Sequence, residues 1–493
     1  MSPRVSQKTG ALRVGAQQLS ADEVESYVSD LADYLVVKWP PHNHTRYFPV
    51  LIDNSLESHL VLLAMGRLGI NCALIESGLA AHHLADRLGQ LGESEGYRPS
   101  ELMDASRSWL KTTGAGRVPR PSPLGRPDAR PGIDGSLVIF TSGSAGSPNG
   151  VVFPWAQIFD ILAGGSGFSS IPASEAVVLN LQPLHWSVGL FQVLSASLGH
   201  SVVTLDPLAM PTSRLLTEIA LASPTTLYLG ADFARVLGNA LAGYEGHVVS
   251  SVARFAVGAG SVMWEDLVPY RKLIPENATF LHTYGASEAV GMMAYACLFG
   301  DAPSAGRVPL GEPRTTGGIR FEPTDEPTIF EVHASARIAS GYLSLTLTDQ
   351  RFVEDDDGTK WWRSGDQVRL DPETHEFHYQ GRLDDLVKVN DRRVSLVEME
   401  MALRAAPTVK DAVVRAVNLG GRNRIVAFFQ SLPGQNVVES ELVAFLEGRL
   451  SGGSKPHLLL SVSEIPYTSR HKPDSERLEA LVTDAFPRPR RDN

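Results

Sequence analysis

The sequence predicts an α/β protein: a large multi-layer N-terminal domain of largely parallel sheets and helices, followed by a small α+β domain at the C-terminus. Three observations predict it. At 493 residues the chain exceeds what one compact core holds, so two or more domains are expected. Over most of the chain a short apolar run, a helix with apolar residues at helical spacing and a second apolar run recur, as parallel strand-helix-strand units require. Past about Gly381 that rhythm stops, and shorter helices and strands alternate.

The elements follow in order. PVLIDNSLESHLVLLAMGRLGINCALI, from Pro49 to Ile75, reads strand, helix, strand. RVPRPSPLGRPDARPGIDG, from Arg117 to Gly135, is crowded with proline, glycine and arginine. Proline lacks a backbone donor and glycine is costly to order, so this is a connection, ahead of a strand at Ser136–Phe140. The strand-helix rhythm returns at AVVLNLQPLHWSVGLFQVLSASLGHSVVTL and again at TTLYLGADFARVLGNAL. In the last part VEMEMALRAA is an amphipathic helix, DAVVRAV and RIVAFF are strands, and ESELVAFLEGRL is a helix. No internal repeat or low-complexity tract interrupts the chain.

Composition excludes several function classes. Lys and Arg number 44 against 55 Asp and Glu, so 44 − 55 gives −11, which disfavours a polyanion-coating surface and hence nucleic acid as a partner. Two cysteines, Cys72 and Cys297, stand far apart in no metal-ligand spacing, so neither a disulfide framework nor a zinc site is indicated. The N-terminus has no apolar signal core, and no run of about 18 apolar residues offers a membrane span. The expectation is a soluble, cytoplasmic protein with no membrane partner.

The stretch IFTSGSAGSPNGVVF, residues 139–153, leads from an apolar strand into a loop of small residues. Its glycines let backbone N–H groups point at an anion, and its hydroxyls add donors, so phosphate is the natural guest. It is neither a G-x-x-x-x-G-K-[ST] loop nor a G-x-G-x-x-G turn. Composition alone equally suits a flexible surface turn.

The surrounding motifs decide between these. TSGSAGSPNG resembles the phosphate-binding signature T-S-G-[ST]-T-G-x-P-K-G of the adenylate-forming superfamily, which contains acyl-CoA synthetases, nonribosomal peptide synthetase adenylation domains and luciferases. In the family's order follow YGASE at Tyr284, GYLS at Gly341, RSGD at Arg363, GRLDDLVKVNDRRV at Gly381 and IPYTSRHKPD at Ile465. The resemblance covers nearly the whole chain. It implies an ATP-dependent ligase that joins a carboxylic acid to AMP, releases pyrophosphate, and passes the acyl group to a thiol or an amine.

The resemblance also implies roles. Thr141, Ser142, Gly143, Ser144 and Gly146 would cradle the phosphates of ATP, and Gly258, Ala259 and Gly260 would leave backbone room for adenine. Tyr284 and Gly285 would lie against the nucleotide, and Ser287, where the family usually has Thr, would donate to the α-phosphate. Glu288 would bind Mg²⁺, a role suited to a hard carboxylate oxygen. Asp366 would accept both ribose hydroxyls and Arg382 would add a charged contact. Asp384 would be the hinge between residues 1–383 and a mobile small domain, residues 384–493. Lys472 matches the family's near-terminal catalytic lysine, whose ammonium stabilises the transition state.

The acid and the acceptor are less legible. Where α-amino-acid-activating relatives carry an aspartate, LQPLHWSVG presents His185, so an aryl or other carboxylic acid is expected. His185, Trp186, Leu190, Tyr228 and His282 are the candidate pocket residues, and Phe191 joins them; each could instead belong to the core. Three departures touch the phosphate loop and the transfer step: Asn149 stands for the loop lysine, Asp391 for a hinge-motif glycine, and His471 for the glycine before Lys472. A side chain at 391 would crowd the pantetheine arm of CoA or of a separate carrier protein, which favours an amine acceptor. SGGS at Ser451–Ser454 imitates a carrier attachment site but lies upstream of Lys472. The alternatives are an adenylating enzyme for a different oxyanion and a degenerate, non-catalytic nucleotide-binding relative; no G-x-S-x-G elbow supports a hydrolase.

Overall fold

Parallel strands end side by side at Gly230, Gly258 and Tyr284, and the rest of the architecture can be described around that line. A computed structural model describes residues 10–39, 46–113, 135–141, 148–163, 175–207, 209–241, 249–315, 317–383, 386–389, 392–419, 422–435, 437–447, 449–450, 455–467 and 473–485. Among these, nine strands form the main sheet. Its inner strands, Leu12–Val14, Ser201–Thr204, Val177–Asn180, Thr226–Gly230, Arg254–Gly258 and Thr279–Tyr284, are mutually parallel. Helices such as Ala231–Leu241 make the crossovers, as parallel pairing demands. Met293–Leu298 then turns back antiparallel, and the short strand Glu312–Pro313 lies outside it at that edge.

A second sheet runs Phe48–Ile52, Cys72–Glu76, Ser136–Thr141, Asn149–Pro154, Gly341–Tyr342. Its first crossover helix, Leu56–Leu68, starts at Ser55, whose hydroxyl accepts from the Ser58 amide, and stops at Gly69 in the left-handed region, φ 63°. That helix is buried almost all round, which explains its near-continuous run of apolar residues. Within it, His59 is held on both ring nitrogens, by the Ser55 carbonyl and by Thr204, each at 2.7 Å.

A third sheet departs from the parallel expectation. Ile319–Pro323, Ile329–Ala334, Lys360–Leu370, Phe352–Glu354 and Phe377–Arg382 pair antiparallel throughout. The reason lies in the connections: Asp371 closes the turn to Glu376 by accepting from the Glu373 and Thr374 amides, and Gly358, φ 82°, turns the chain after Asp355. Tight turns join antiparallel neighbours and leave no room for a crossover helix.

The residues after Ser395 pack around separate apolar clusters, with Met399, Leu403, Val414 and Leu446 in one and Val413, Phe428, Ile465 and Leu478 in another. Their strands, Val409–Leu419, Arg422–Ser431 and Leu458–Ser461, form a three-stranded sheet. No described helix is long and apolar enough to cross a membrane.

Candidate active site

Thr283 and Tyr284 end one parallel strand, and Gly258 ends its neighbour. The Tyr228 hydroxyl and Thr283 Oγ1 are 2.7 Å apart, and a Cβ at Gly258 would stand 2.4 Å from Thr283 Oγ1 and 2.5 Å from the Tyr228 oxygen. Only glycine fits there. Ala259 follows at φ 59°, unusual for a residue with a side chain, so the strand bends away immediately and exposes backbone at its end. Gly285 is equally confined, since a Cβ would lie 2.6 Å from the Gly291 nitrogen.

Two antiparallel strands bring an acid to this point. Asp366 and Arg382 are register partners, and Arg382 Nε donates to Asp366 Oδ1 at 3.0 Å. The Tyr284 hydroxyl donates to Asp366 Oδ2 at 2.7 Å. Ser364 Oγ accepts from the Asp366 amide and itself donates to the Val332 carbonyl, which fixes the turn. Burial disfavours the Arg382 charge, but the Asp366 carboxylate overrides it and raises its pKa. Burial, reinforced by the same carboxylate, pushes the Tyr284 hydroxyl well above the ordinary phenol range. Each Asp366 carboxylate oxygen is thus engaged by one of these two partners.

Glu288 is a second buried acid. Tyr342 donates its hydroxyl to Glu288 Oε1 at 2.9 Å, and Trp362 Nε1 donates to that hydroxyl at 3.3 Å. Burial raises the Glu288 pKa, and the Tyr342 hydrogen bond and the positive charge of Arg382 partly restrain it. Tyr342 is placed by the GYLS stretch, which pairs as a short strand with Val151 and Val152. The strand Asn149–Pro154 thus links the phosphate-loop hairpin to the Glu288 carboxylate.

Thr141 and Asn149 are the last pair of that hairpin, and Thr141 Oγ1 donates to the Asn149 carbonyl at 3.4 Å. Ser142, Gly143, Ser144 and Gly146 between them lie outside the described residues, as do Asp384, Asp391, Ser451–Ser454, His471 and Lys472. Ser287 Oγ donates to Ser187 Oγ at 3.4 Å, beside the helix that Trp186 precedes.

The candidate pocket residues separate in space. Leu190 and Phe191 are buried in the main core. His282 is buried with its ring nitrogens serving backbone, Nδ1 at 2.7 Å from the Pro309 carbonyl and a further bond to Gly260, and burial lowers its pKa. His282 therefore braces the Gly260 turn. His185 and Trp186 are partly exposed, with His185 Nε2 3.6 Å from Glu76 Oε2. Tyr342, Tyr379, whose ring centroid is 6.1 Å from that of Tyr284, and Glu76 were not singled out in the sequence. Tyr342 had a signal, since it stands inside GYLS, whereas Glu76 and Tyr379 reach the site only through strand pairing.

Chemically, the arrangement offers a buried carboxylate acceptor at Asp366, a hard carboxylate at Glu288 a few residues past the strand Thr279–Tyr284, and exposed backbone at Ala259 and Gly260. A single carboxylate such as Glu288 suits Mg²⁺ that arrives on phosphate oxygens, because that ion takes one or two carboxylates and fills its other positions with water and phosphate.

Known proteins resemble the chain as a whole. Residues 97–319 match the family model described as AMP-binding enzyme. The chain is 27% identical over 451 residues to the L-allo-isoleucine:holo-[CmaA peptidyl-carrier protein] ligase of Pseudomonas savastanoi pv. glycinea, covering 88% of this chain and 74% of that one. It is 27% identical over 416 residues to the isonitrile lipopeptide synthase of Streptomyces coeruleorubidus, covering 78% of this chain but 28% of that longer protein. ATP-bound MatB from Rhodopseudomonas palustris superposes with a TM-score of 0.75 at 17% identity, covering 98% of this chain and 97% of that one, and so shares the fold.

Proposed function

We propose that this chain, which belongs to the adenylate-forming superfamily of ATP-dependent, AMP-forming ligases, activates a carboxylic acid as an acyl-adenylate and then passes the acyl group to a thiol or an amine. The observation that carries the reading is the Asp366 carboxylate, held between the Tyr284 hydroxyl and the Arg382 guanidinium where the parallel strands end.

On this reading the ribose hydroxyls donate to Asp366, and adenine lies against Tyr284 beside the Gly258–Gly260 backbone. The phosphates rest on the hairpin loop from Thr141 to Gly146. A carboxylate oxygen of the acid attacks the α-phosphorus, the bond to the β-phosphate breaks, and pyrophosphate leaves. Ser287 donates to the α-phosphate, and Lys472 of the small domain, residues 384–493, places its ammonium where negative charge gathers. Glu288 would hold Mg²⁺, which would supply positive charge against the phosphate oxygens.

The acid is read as aryl or otherwise not an α-amino acid, because the stretch Leu181–Gly189 carries His185 and no acidic residue. The acceptor is an amine, or the thiol of CoA or of a separate carrier protein. The test is acid-dependent exchange of labelled pyrophosphate into ATP across a panel of aryl, fatty and α-amino acids. Exchange with an aryl or fatty acid above all α-amino acids supports the reading; exchange only with α-amino acids overturns the substrate class, and none with any acid overturns the activity.

A further inference from the structure

Arg235 lies on the helix Ala231–Leu241 and is almost wholly buried, at 6% exposure. Its partners come from both parts of the chain. Nη2 donates to Asp232 Oδ1 at 2.9 Å on its own helix and to the Tyr467 hydroxyl at 2.8 Å, while Nε is 3.4 Å from Asp411 Oδ1. The Tyr467 hydroxyl donates in turn to Asp411 Oδ2 at 2.7 Å, which closes a ring of polar contacts. Close by, Arg404 Nη2 donates to both carboxylate oxygens of Asp266. Burial disfavours the Arg235 charge, yet Asp411, Tyr467 and Asp232 together raise its pKa well above the ordinary value.

Two features give this cluster a direction. Tyr467 is joined to the residues that follow Lys472: Tyr467 and Pro473 form an antiparallel bridge, and the Asp474 amide donates to the Pro466 carbonyl at 2.9 Å. On the other side, Arg235 stands one turn beyond Ala231, whose Cβ lies 3.0 Å from where a Cβ of Gly260 would be. The base of the segment that contains Lys472 is therefore fastened to the helix that opens beside the Gly258–Gly260 turn. Charged groups buried across a contact cost desolvation unless all are paired, so such a contact selects one orientation rather than adding general adhesion.

We propose that Arg235, with Asp232, Asp411 and Tyr467, is a positioning device that sets the orientation of the small domain for adenylate formation. The proposal rests on the function given above and adds to it the residues that hold the Lys472 segment in place. Arg235 acts through that segment and touches no reacting atom.

The test uses the full-length chain with Arg235→Gln, Arg235→Lys and Tyr467→Phe, the last removing one hydroxyl only. Acid-dependent pyrophosphate release is expected to fall about 10- to 100-fold in kcat for Arg235→Gln, with KM for ATP within about twofold, since small misplacements cost that much. Arg235→Lys recovers part of the loss. Arg235→Gln has no further effect in a Lys472→Ala background, because both changes remove the same contribution. Amide hydrogen exchange across residues 409–413 and 466–474 rises in Arg235→Gln and Tyr467→Phe, while exchange in the strands Thr226–Gly230 and Thr279–Tyr284 is unchanged. Full pyrophosphate release in Arg235→Gln, additive losses with Lys472→Ala, or unaltered exchange at 466–474 overturns the proposal. If the unmodified protein releases pyrophosphate with no acid, the function reading falls, and the exchange experiment alone still decides whether Arg235 holds the two parts together.

Discussion

The hydroxyl of Tyr342 stands 2.9 Å from Oε1 of Glu288, so a motif tyrosine on a short strand holds the buried acid that follows Tyr-Gly-Ala-Ser just past the strand Thr279–Tyr284. Burial raises the Glu288 pKa and this hydrogen bond lowers it. Removing the bond with Tyr342→Phe raises it further, so the proton is lost only at higher pH. Mg²⁺ needs the ionised carboxylate. The acid limb of the Mg²⁺-dependent rate is therefore expected to move to higher pH in Tyr342→Phe, while the rate at alkaline pH stays within about threefold, as one lost hydrogen bond allows. A pH profile at fixed Mg²⁺ checks this; an unmoved acid limb contradicts it.

Asp366 and Tyr284 separate binding from support. Asp366→Asn keeps the shape but removes the charge that faces Arg382 and that, on the proposed reading, two ribose hydroxyls would use, and AMP affinity should fall about 30-fold or more, as for charged hydrogen bonds. Tyr284→Phe leaves the carboxylate in place and should weaken AMP by less than about tenfold. Calorimetric titration of AMP measures both. Equal losses would show that Asp366 has no direct part in holding the nucleoside.

Asn149 closes the phosphate hairpin opposite Thr141 and is partly exposed, so a longer side chain can be accommodated there. On the proposed reading, Asn149→Lys would restore a cation near the departing phosphates. The expected outcome is an unchanged melting temperature and a several-fold lower KM for ATP, on the order of 1 kcal/mol, the effect diminishing as salt is raised. A higher KM would place residue 149 away from the phosphates.

His59 predicts how stability responds to acid. Burial depresses its pKa from 6.5 to about 4, and the Ser55 bond only partly offsets that. A folded-state pKa below the unfolded value means that the unfolded chain binds more protons between those limits. The stabilisation is present above pH 6.5 and is lost as pH falls toward 4, at most roughly 3 kcal/mol. Urea unfolding of the parent and of His59→Gln at pH 7.5 and 4.5 isolates the contribution. The variant should lose less stability over that interval, and parallel losses would remove His59 from the account.

Much of the fold was legible because strand-helix-strand repeats and turn residues are local signals. The antiparallel sheet from Ile319 to Arg382 is less legible, because its only local signals are the short turns DPETHE and DDDG, and which strands those turns pair is set by register across the sheet. Asp366 and Glu288 stood out as motif acids, whereas their partners depend on register. Arg382 meets Asp366 past an irregularity between Gln367 and Val368, and Tyr342 reaches Glu288 across 54 residues. Arg235 and Asp411 gave no sequence signal at all, and Tyr467 only marked the register of Lys472. Arginine and aspartate normally stay at the surface, and only the approach of two distant segments buries this pair.

The most direct measurement follows oxygen from the acid. With an acid carrying ¹⁸O in its carboxylate, complete turnover with ATP and an acceptor should leave one labelled oxygen in AMP and none in pyrophosphate, read by mass spectrometry. That is the mark of carboxylate attack on the α-phosphorus. Label in pyrophosphate or phosphate, or AMP formed without label, would contradict acyl-adenylate formation.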